Sequence, residues 1–201
     1  MRVCVDGGGA VEVVLPRRVP ERDAVAAVVE LAPWIERRRA ALARALAEVA
    51  RPLGTAPYLG ETLELVPESG RTRVHRRGER LFTPASEAGP ALERFYRRAA
   101  RIEIADRLDA AVARAGSEYS QLTIRGQRTR WASCSSSGAM SFNWRLLLAP
   151  PVVLDYVVEH EVCHLQIMDH SPQFWALLEG RVPEWRAHAG WLRRYGSTLQ
   201  I

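Results

Sequence analysis

His160-Glu161-Val162-Cys163-His164 is the stretch that decides how this chain folds and what it can do. Two histidines four residues apart on a helix are separated by about 400° of rotation, so their rings point the same way. They can then share one metal ion. Glu161 follows the first histidine directly, within reach of a water on that ion. The spacing is the signature of a zinc-dependent peptidase. Upstream, Val152 to Val158 is apolar with a helical period and begins just after Pro150-Pro151, a helix start followed by a buried helix. The expected helix runs from about Val152 to Met168. A third histidine, His170, lies just past its expected end, where a turn can bring it back to the metal. Three neutral imidazoles and a water make an open, catalytic type of zinc site. Without a metal, His160 and His164 would be ordinary surface or core histidines.

The rest of the chain narrows the reading. It has 201 residues, enough for one domain with a good core. All 28 Lys+Arg residues are arginine. The absence of lysine excludes Schiff-base chemistry and a P-loop, and with them the common nucleoside-triphosphatase readings. The net charge of +5 and a pI near 9.6 permit a nucleic-acid partner. The arginines are spread over Arg37–Arg39, Arg76–Arg80, Arg94–Arg101 and Arg125–Arg130, however, which favours solvated faces over a binding patch. Cys4, Cys134 and Cys163 are too scattered for a disulfide framework, and no C-x-x-C occurs. With no signal-peptide pattern and no apolar run of membrane-spanning length, a soluble cytoplasmic protein without a membrane partner is expected.

Pattern along the chain predicts an N-terminal hairpin: Arg2–Asp6, a turn at Gly7-Gly8-Gly9, then Val11–Leu15. Residues Pro20–Arg51 are expected to be helical with a break at Pro33, burying Val25, Val28, Val29, Trp34, Ile35 and Leu42. Two or three strands are expected over Tyr58–Thr83. A long helix follows over Ala88–Ala115, burying Leu92, Phe95, Ile102, Ile104 and Leu108 and closed by Gly116. Strands fill Gln121–Leu148. After the metal helix, Ser171-Pro172 opens a helix with Ser171 as its cap, and a last helix starts at Pro183. The expected fold class is α+β: a mostly antiparallel sheet packed on helices, one of which carries the metal motif. The expected organisation is a single domain over 1–201, with a strand and helix subregion at 1–87 and the metal-bearing core at 88–201. The strand Met140–Arg145 is either a sheet edge beside the cleft, able to pair with an extended substrate, or an interior strand.

Thr129-Arg130-Trp131-Ala132-Ser133-Cys134-Ser135, Ser141-Phe142-Asn143-Trp144-Arg145, Ala149-Pro150, Tyr156-Val157-Val158, His160–His164 and His170-Ser171-Pro172-Gln173-Phe174-Trp175 together resemble the YgjP-like metallopeptidases. These are bacterial zincins related at the metal core to the SprT-like proteases. The family usually has glycine where Ala132 stands, so a turn there would have to accept a Cβ. The resemblance implies a zincin-like metallopeptidase domain and a reaction class, not a substrate.

The expected mechanism assigns one Zn²⁺ to His160, His164 and His170, with manganese or iron as less fitting occupants. Glu161 is the general base, taking a proton from the zinc-activated water and passing it to the leaving amine. One helical step turns Glu161 about 100° from the histidine pair, so it is no ligand. Asn143, Arg145 and Tyr156 are candidate substrate-binding and oxyanion donors, with core hydrogen bonding as the alternative for each. Glu159, expected to face solvent, and Asp169, a possible cap for the next helix, are candidate partners of the ligating histidines. Cys163 and Cys134 are expected to be packed, inert thiols. His75 and His188 are expected at the surface, and the tryptophans in the core. The expected partner is a peptide or unfolded-protein substrate. Two alternatives stand beside it: a DNA-associated protease of the SprT-like kind, and a zinc-containing binding module without catalysis.

Overall fold

A computed structural model describes residues 1–18, 20–127 and 129–201; Arg128, one of the Arg125–Arg130 group, lies outside them. The chain divides into two compact units, one of residues 1–50 with 193–200 and one of residues 51–192 with Ile201. The subdivision expected at 87/88 falls inside the second.

In the smaller unit, Arg2–Val5 (β1) and Val11–Val14 (β2) form the expected antiparallel hairpin, with Arg2 opposite Val14. The Asp6 carboxylate closes its turn by accepting from the N–H groups of Gly8 (2.9 Å) and Ala10 (2.8 Å). Helices α1 (Glu21–Glu30) and α2 (Ala32–Glu48) break at Leu31. Pro33 sits in the first turn of α2, where backbone N–H groups lack intrahelical partners anyway. The break also resets the helical phase. Ala27, Ile35, Leu42 and Ala45 are buried, whereas Val25 and Val29, expected inside, are 63% and 69% exposed and Trp34 is also exposed. One continuous periodic face cannot be carried across two helices. Near the chain's end, Arg194 and Tyr195 both bind the Glu48 carboxylate on α2.

The larger unit opens with Thr55–Tyr58 (β3), ahead of the expected stretch, and then three strands as expected, Glu61–Glu68 (β4), His75–Arg77 (β5) and Arg80–Pro84 (β6), in spatial order β3-β4-β6-β5. Helix α3 then spans Ala88–Ala115, and Gly116 at φ +60° ends it in the left-handed conformation. Its buried row is Leu92, Tyr96, Ala100, Ile104, Leu108 and Val112, a strict step of four. Each such step drifts about 40° around the axis, so successive turns address different neighbours. Early on, Tyr96 stacks on Trp144 and donates to the Pro57 carbonyl; later, Arg107 and Arg114 pair with Asp155 and Glu159 on the metal helix. Ile102, expected inside, is off this row and 64% exposed.

Gln121–Arg125 (β7), Ala132–Cys134 (β8) and Ala139–Asn143 (β9) form a third sheet in the order β7-β9-β8. The segment considered as an edge is therefore not one: β9 lies in the middle, parallel to β7 and antiparallel to β8. The edge role passes to β8, which packs on the metal helix. Ala132 sits in this extended strand rather than in a turn, so its Cβ meets no conformational penalty. A buried 3-10 turn, Trp144–Leu148, leads into α4 (Pro151–Cys163), followed by α5 (Pro172–Arg181) and α6 (Trp185–Tyr195). The fold is α+β. Of the six strand pairings among the described residues, only β4–β6 and β7–β9 are parallel. No helix among the described residues is long and apolar enough to cross a membrane.

Candidate metal centre

Helix α4 is largely buried from Val153 to Cys163, which sets His160 and His164 among packed side chains. It ends at Cys163, earlier than Met168, because its bonds tighten: His164, Leu165 and Gln166 each donate to the carbonyl three residues back, at 3.1–3.2 Å. His164 thus stands at the helix end, and the tightened turns lead the chain round to His170. The three rings converge. One ligand nitrogen from each of His160, His164 and His170 lies within 4.8 Å of the others. The Nε2 atoms of His160 and His170 are 3.1 Å apart. Two nitrogens bound tetrahedrally to one zinc would stand roughly 3.3–3.4 Å apart, given Zn–N bonds of about 2.0–2.1 Å.

The protonation states suit ligands. His164 donates its Nδ1–H to the Ile167 carbonyl at 3.1 Å, which leaves its Nε2 lone pair free. Burial, then the neighbouring His164 and His170, push His160 down to about 4. Burial also lowers His164. Both rings are therefore neutral near pH 7. His160 Nδ1 is buried with no hydrogen-bond partner, so its position comes from packing. That packing is aromatic. Phe174, fully buried on α5, places its ring centroid 4.9, 4.5 and 4.8 Å from those of His160, His164 and His170. His170 also stacks on Trp175 (5.3 Å, 29°), and Trp175 on Trp185 of α6 (4.5 Å, 18°).

Glu161 is 6% exposed. Burial raises its carboxyl to about 7, against a hydrogen bond from the Cys134 backbone and the positive charge of Arg130, which both lower it. Neither contact was legible in the sequence, because both come from β8 and the residues just before it, some 30 positions upstream.

The other candidates separate cleanly. Tyr156 lies one turn before His160, its ring 6.0 Å from that ring and 6.1 Å from His188 of α6. His188 is half-buried against Tyr156 instead of lying free at the surface. Asn143 and Arg145 are engaged nearby in sequence: Asn143 donates to the Gln127 carbonyl at 2.6 Å and accepts from the Arg145 N–H at 3.1 Å, and Arg145 stacks over Trp144 and reaches the Gly126 carbonyl. Glu159 does not face solvent. It is buried, and its two oxygens take Arg114 of α3 at 2.6 Å and Arg181 of α5 at 3.0 Å, fixing α4 between its neighbours. Asp169 accepts from the Ser171 N–H at 3.1 Å at the start of α5, while the Ser171 side chain makes no capping bond. Cys163 is buried and its thiol pushed up to about 11 by that burial. Cys134 is half-buried, its thiol raised by burial and then by the charge of Glu161.

A family model described as "YgjP-like, metallopeptidase domain" matches residues 1–195. Among solved structures, the crystal structure of the metallopeptidase zymogen of Pyrococcus abyssi abylysin is similar at 24% identity over 42% of this chain and 87% of that one, with a TM-score of 0.39. No curated protein matches the chain.

Proposed function

The chain belongs to the YgjP-like metallopeptidase family and is a metal-dependent peptidase; on that premise we propose that it cleaves peptide bonds with one zinc ion held by His160, His164 and His170 and with Glu161 as general base. The observation that carries this reading is the convergence of three imidazole nitrogens within 4.8 Å at the end of the helix that carries the buried Glu161. Three imidazole nitrogen donors suit zinc of the catalytic type, ahead of manganese or iron. Zinc, when bound, polarises the scissile carbonyl and makes water acidic enough to attack near neutral pH. Glu161 takes the proton of that water and delivers it to the departing amine. A carboxyl held near 7 is well matched to both halves of that task. Of the three candidate donors we retain Tyr156, beside His160, for the carbonyl oxygen. Asn143 and Arg145 are assigned to holding the loop before β8.

The substrate we propose is an extended peptide or unfolded protein lying along β8. Trp131 accepts from the Asn143 N–H at 2.7 Å and Ser135 donates to the Ala139 carbonyl at 3.0 Å. With that phase, the backbone groups of Ala132 and Cys134 point away from β9. Glu161 lies on this outward side, since it receives the Cys134 hydrogen bond. With the Cys134 N–H held by Glu161, an extended chain pairing with the outward groups of Ala132 and the Cys134 carbonyl would have its backbone fixed beside the base, with little demand on side chains. Three cysteines without disulfides fit a reducing, cytoplasmic setting.

The test is cleavage of a dye-quenched unfolded protein by the zinc-loaded chain and by Glu161→Gln. Expected are turnover by the parent and a loss of about 100-fold or more in the variant with zinc retained. Equal turnover would remove Glu161 from its role. Zinc without any cleavage by the parent would leave a metal-containing binding module.

A further inference from the structure

His170 is the exposed member of the triad and sits on the turn between α4 and α5, outside any helix. A ligating histidine ordinarily takes its orientation from a hydrogen bond at its other nitrogen. His164 has one, to the Ile167 carbonyl. Among the described residues, the only hydrogen-bond contact of His170 is Nε2 to Nε2 of His160, the atom that faces the metal position. What fixes the ring plane is aromatic. Its face lies on Trp175, whose plane is nearly parallel to that of Trp185 at 4.5 Å, and the Arg186 guanidinium carbon stands 4.6 Å from the Trp185 centroid. The column His170, Trp175, Trp185, Arg186 thus runs from the turn to the first residues of α6. Trp185 touches no histidine of the triad in this column; it acts on His170 through Trp175. Its indole N–H is buried without a hydrogen-bond partner, so stacking rather than hydrogen bonding places it.

We propose that Trp185 is a positioning residue for the metal centre: by clamping Trp175 it sets the His170 ring and so governs how long the site retains its metal. The inference rests on the proposed ligand set. It also gives α6 a task at the site. A stacked pair adds geometric preference beyond the area it buries, and removing one plane leaves the next free to rotate. Loss of the clamp lets His170 swing out with its turn, and the site drops toward a two-histidine site while His160, His164 and Glu161 stay in place on α4.

Zinc release from the loaded full-length chain to excess chromophoric chelator reads this directly. Trp185→Leu, which keeps apolar bulk and loses the stacking plane, should release zinc about tenfold faster or more, the scale seen when outer-shell partners of ligands are removed. Trp185→Phe, which restores a plane, should stay near the parent rate. In a His170→Ala background, Trp185→Leu should add no further acceleration, because the group it acts on is gone. A structural defect would instead speed release in both backgrounds. An unchanged rate for Trp185→Leu, or equal acceleration with and without His170, overturns the inference alone. A parent chain that takes up no zinc overturns the ligand set along with it. Should Trp185→Leu fail to fold, Trp185→Met in the same two backgrounds carries the test, since its flexible apolar chain fills the space and supplies no stacking plane.

Discussion

His160 and His164 owe their convergence to the chain's covalent periodicity; His170 owes its own to packing. The first two ride on α4, whose carboxylate at Glu159 is held by arginines from α3 and α5. Their relative direction is fixed as soon as the helix forms. His170 sits exposed on a turn and is directed by Phe174, Trp175 and, one layer out, Trp185. One half of the site is thus as stable as the core, while the other depends on side chains that approach from later in the chain. Local opening should begin at the turn.

Phe174 is where the comparison breaks most violently, because it is the floor under both halves. Phe174→Ala should cost about 3–5 kcal/mol in denaturant unfolding of the metal-free chain, and a cost below about 1 kcal/mol would mean the floor is not a packed element. Glu159→Ala attacks the helix-borne half alone. It leaves Arg181, whose side chain is only 17% exposed, buried without its carboxylate, and should cost about 3 kcal/mol. If Glu159→Ala were neutral, the anchoring of α4 by that pair of arginines would be wrong.

A pH series sharpens the same half. Folding raises the Glu161 carboxyl from 4.5 to about 7. Between those values the folded chain binds more protons than the unfolded one, so its stability falls as pH rises. Glu161→Gln removes that fall. In the metal-free state, the stability of Glu161→Gln relative to the parent should grow from pH 4.5 to 7 by up to about 3 kcal/mol and then level off. The depressed His160 has the opposite slope but is present in both proteins, so it cancels in the difference. A difference that does not vary with pH would mean that Glu161 is not desolvated. The smallest effect is expected on the other side of the comparison: His170→Ala should change metal-free stability by no more than about 0.5 kcal/mol, since the ring is exposed. A large loss there would make the turn part of the core.

This division also marks what was legible in the sequence. The histidine spacing, the helix that carries it, the N-terminal hairpin, the long α3 and its Gly116 stop follow from periodicity and cap chemistry, which act over a few residues. Features set by distant segments were not legible. The Leu31 break turned Val25 and Val29 outward, and the pairing of β9 with both β7 and β8 put Met140–Asn143 in mid-sheet and left β8 at one edge. Glu159 read as a solvent-facing residue because nothing local to it announces Arg114 or Arg181. Trp175 and Trp185 read as core aromatics. The spacing from His170 to Phe174 and Trp175, four and five residues across a Ser-Pro helix start, is the one local signal that could have placed those rings over the turn.

The most direct test of the central claim is the zinc content of the purified chain, by elemental mass spectrometry, beside that of His164→Ala prepared identically. The account predicts about one zinc per chain in the parent, and its loss in a variant that still folds. A parent that stays free of metal after zinc is supplied, or a His164→Ala chain that keeps as much zinc as the parent, would contradict it.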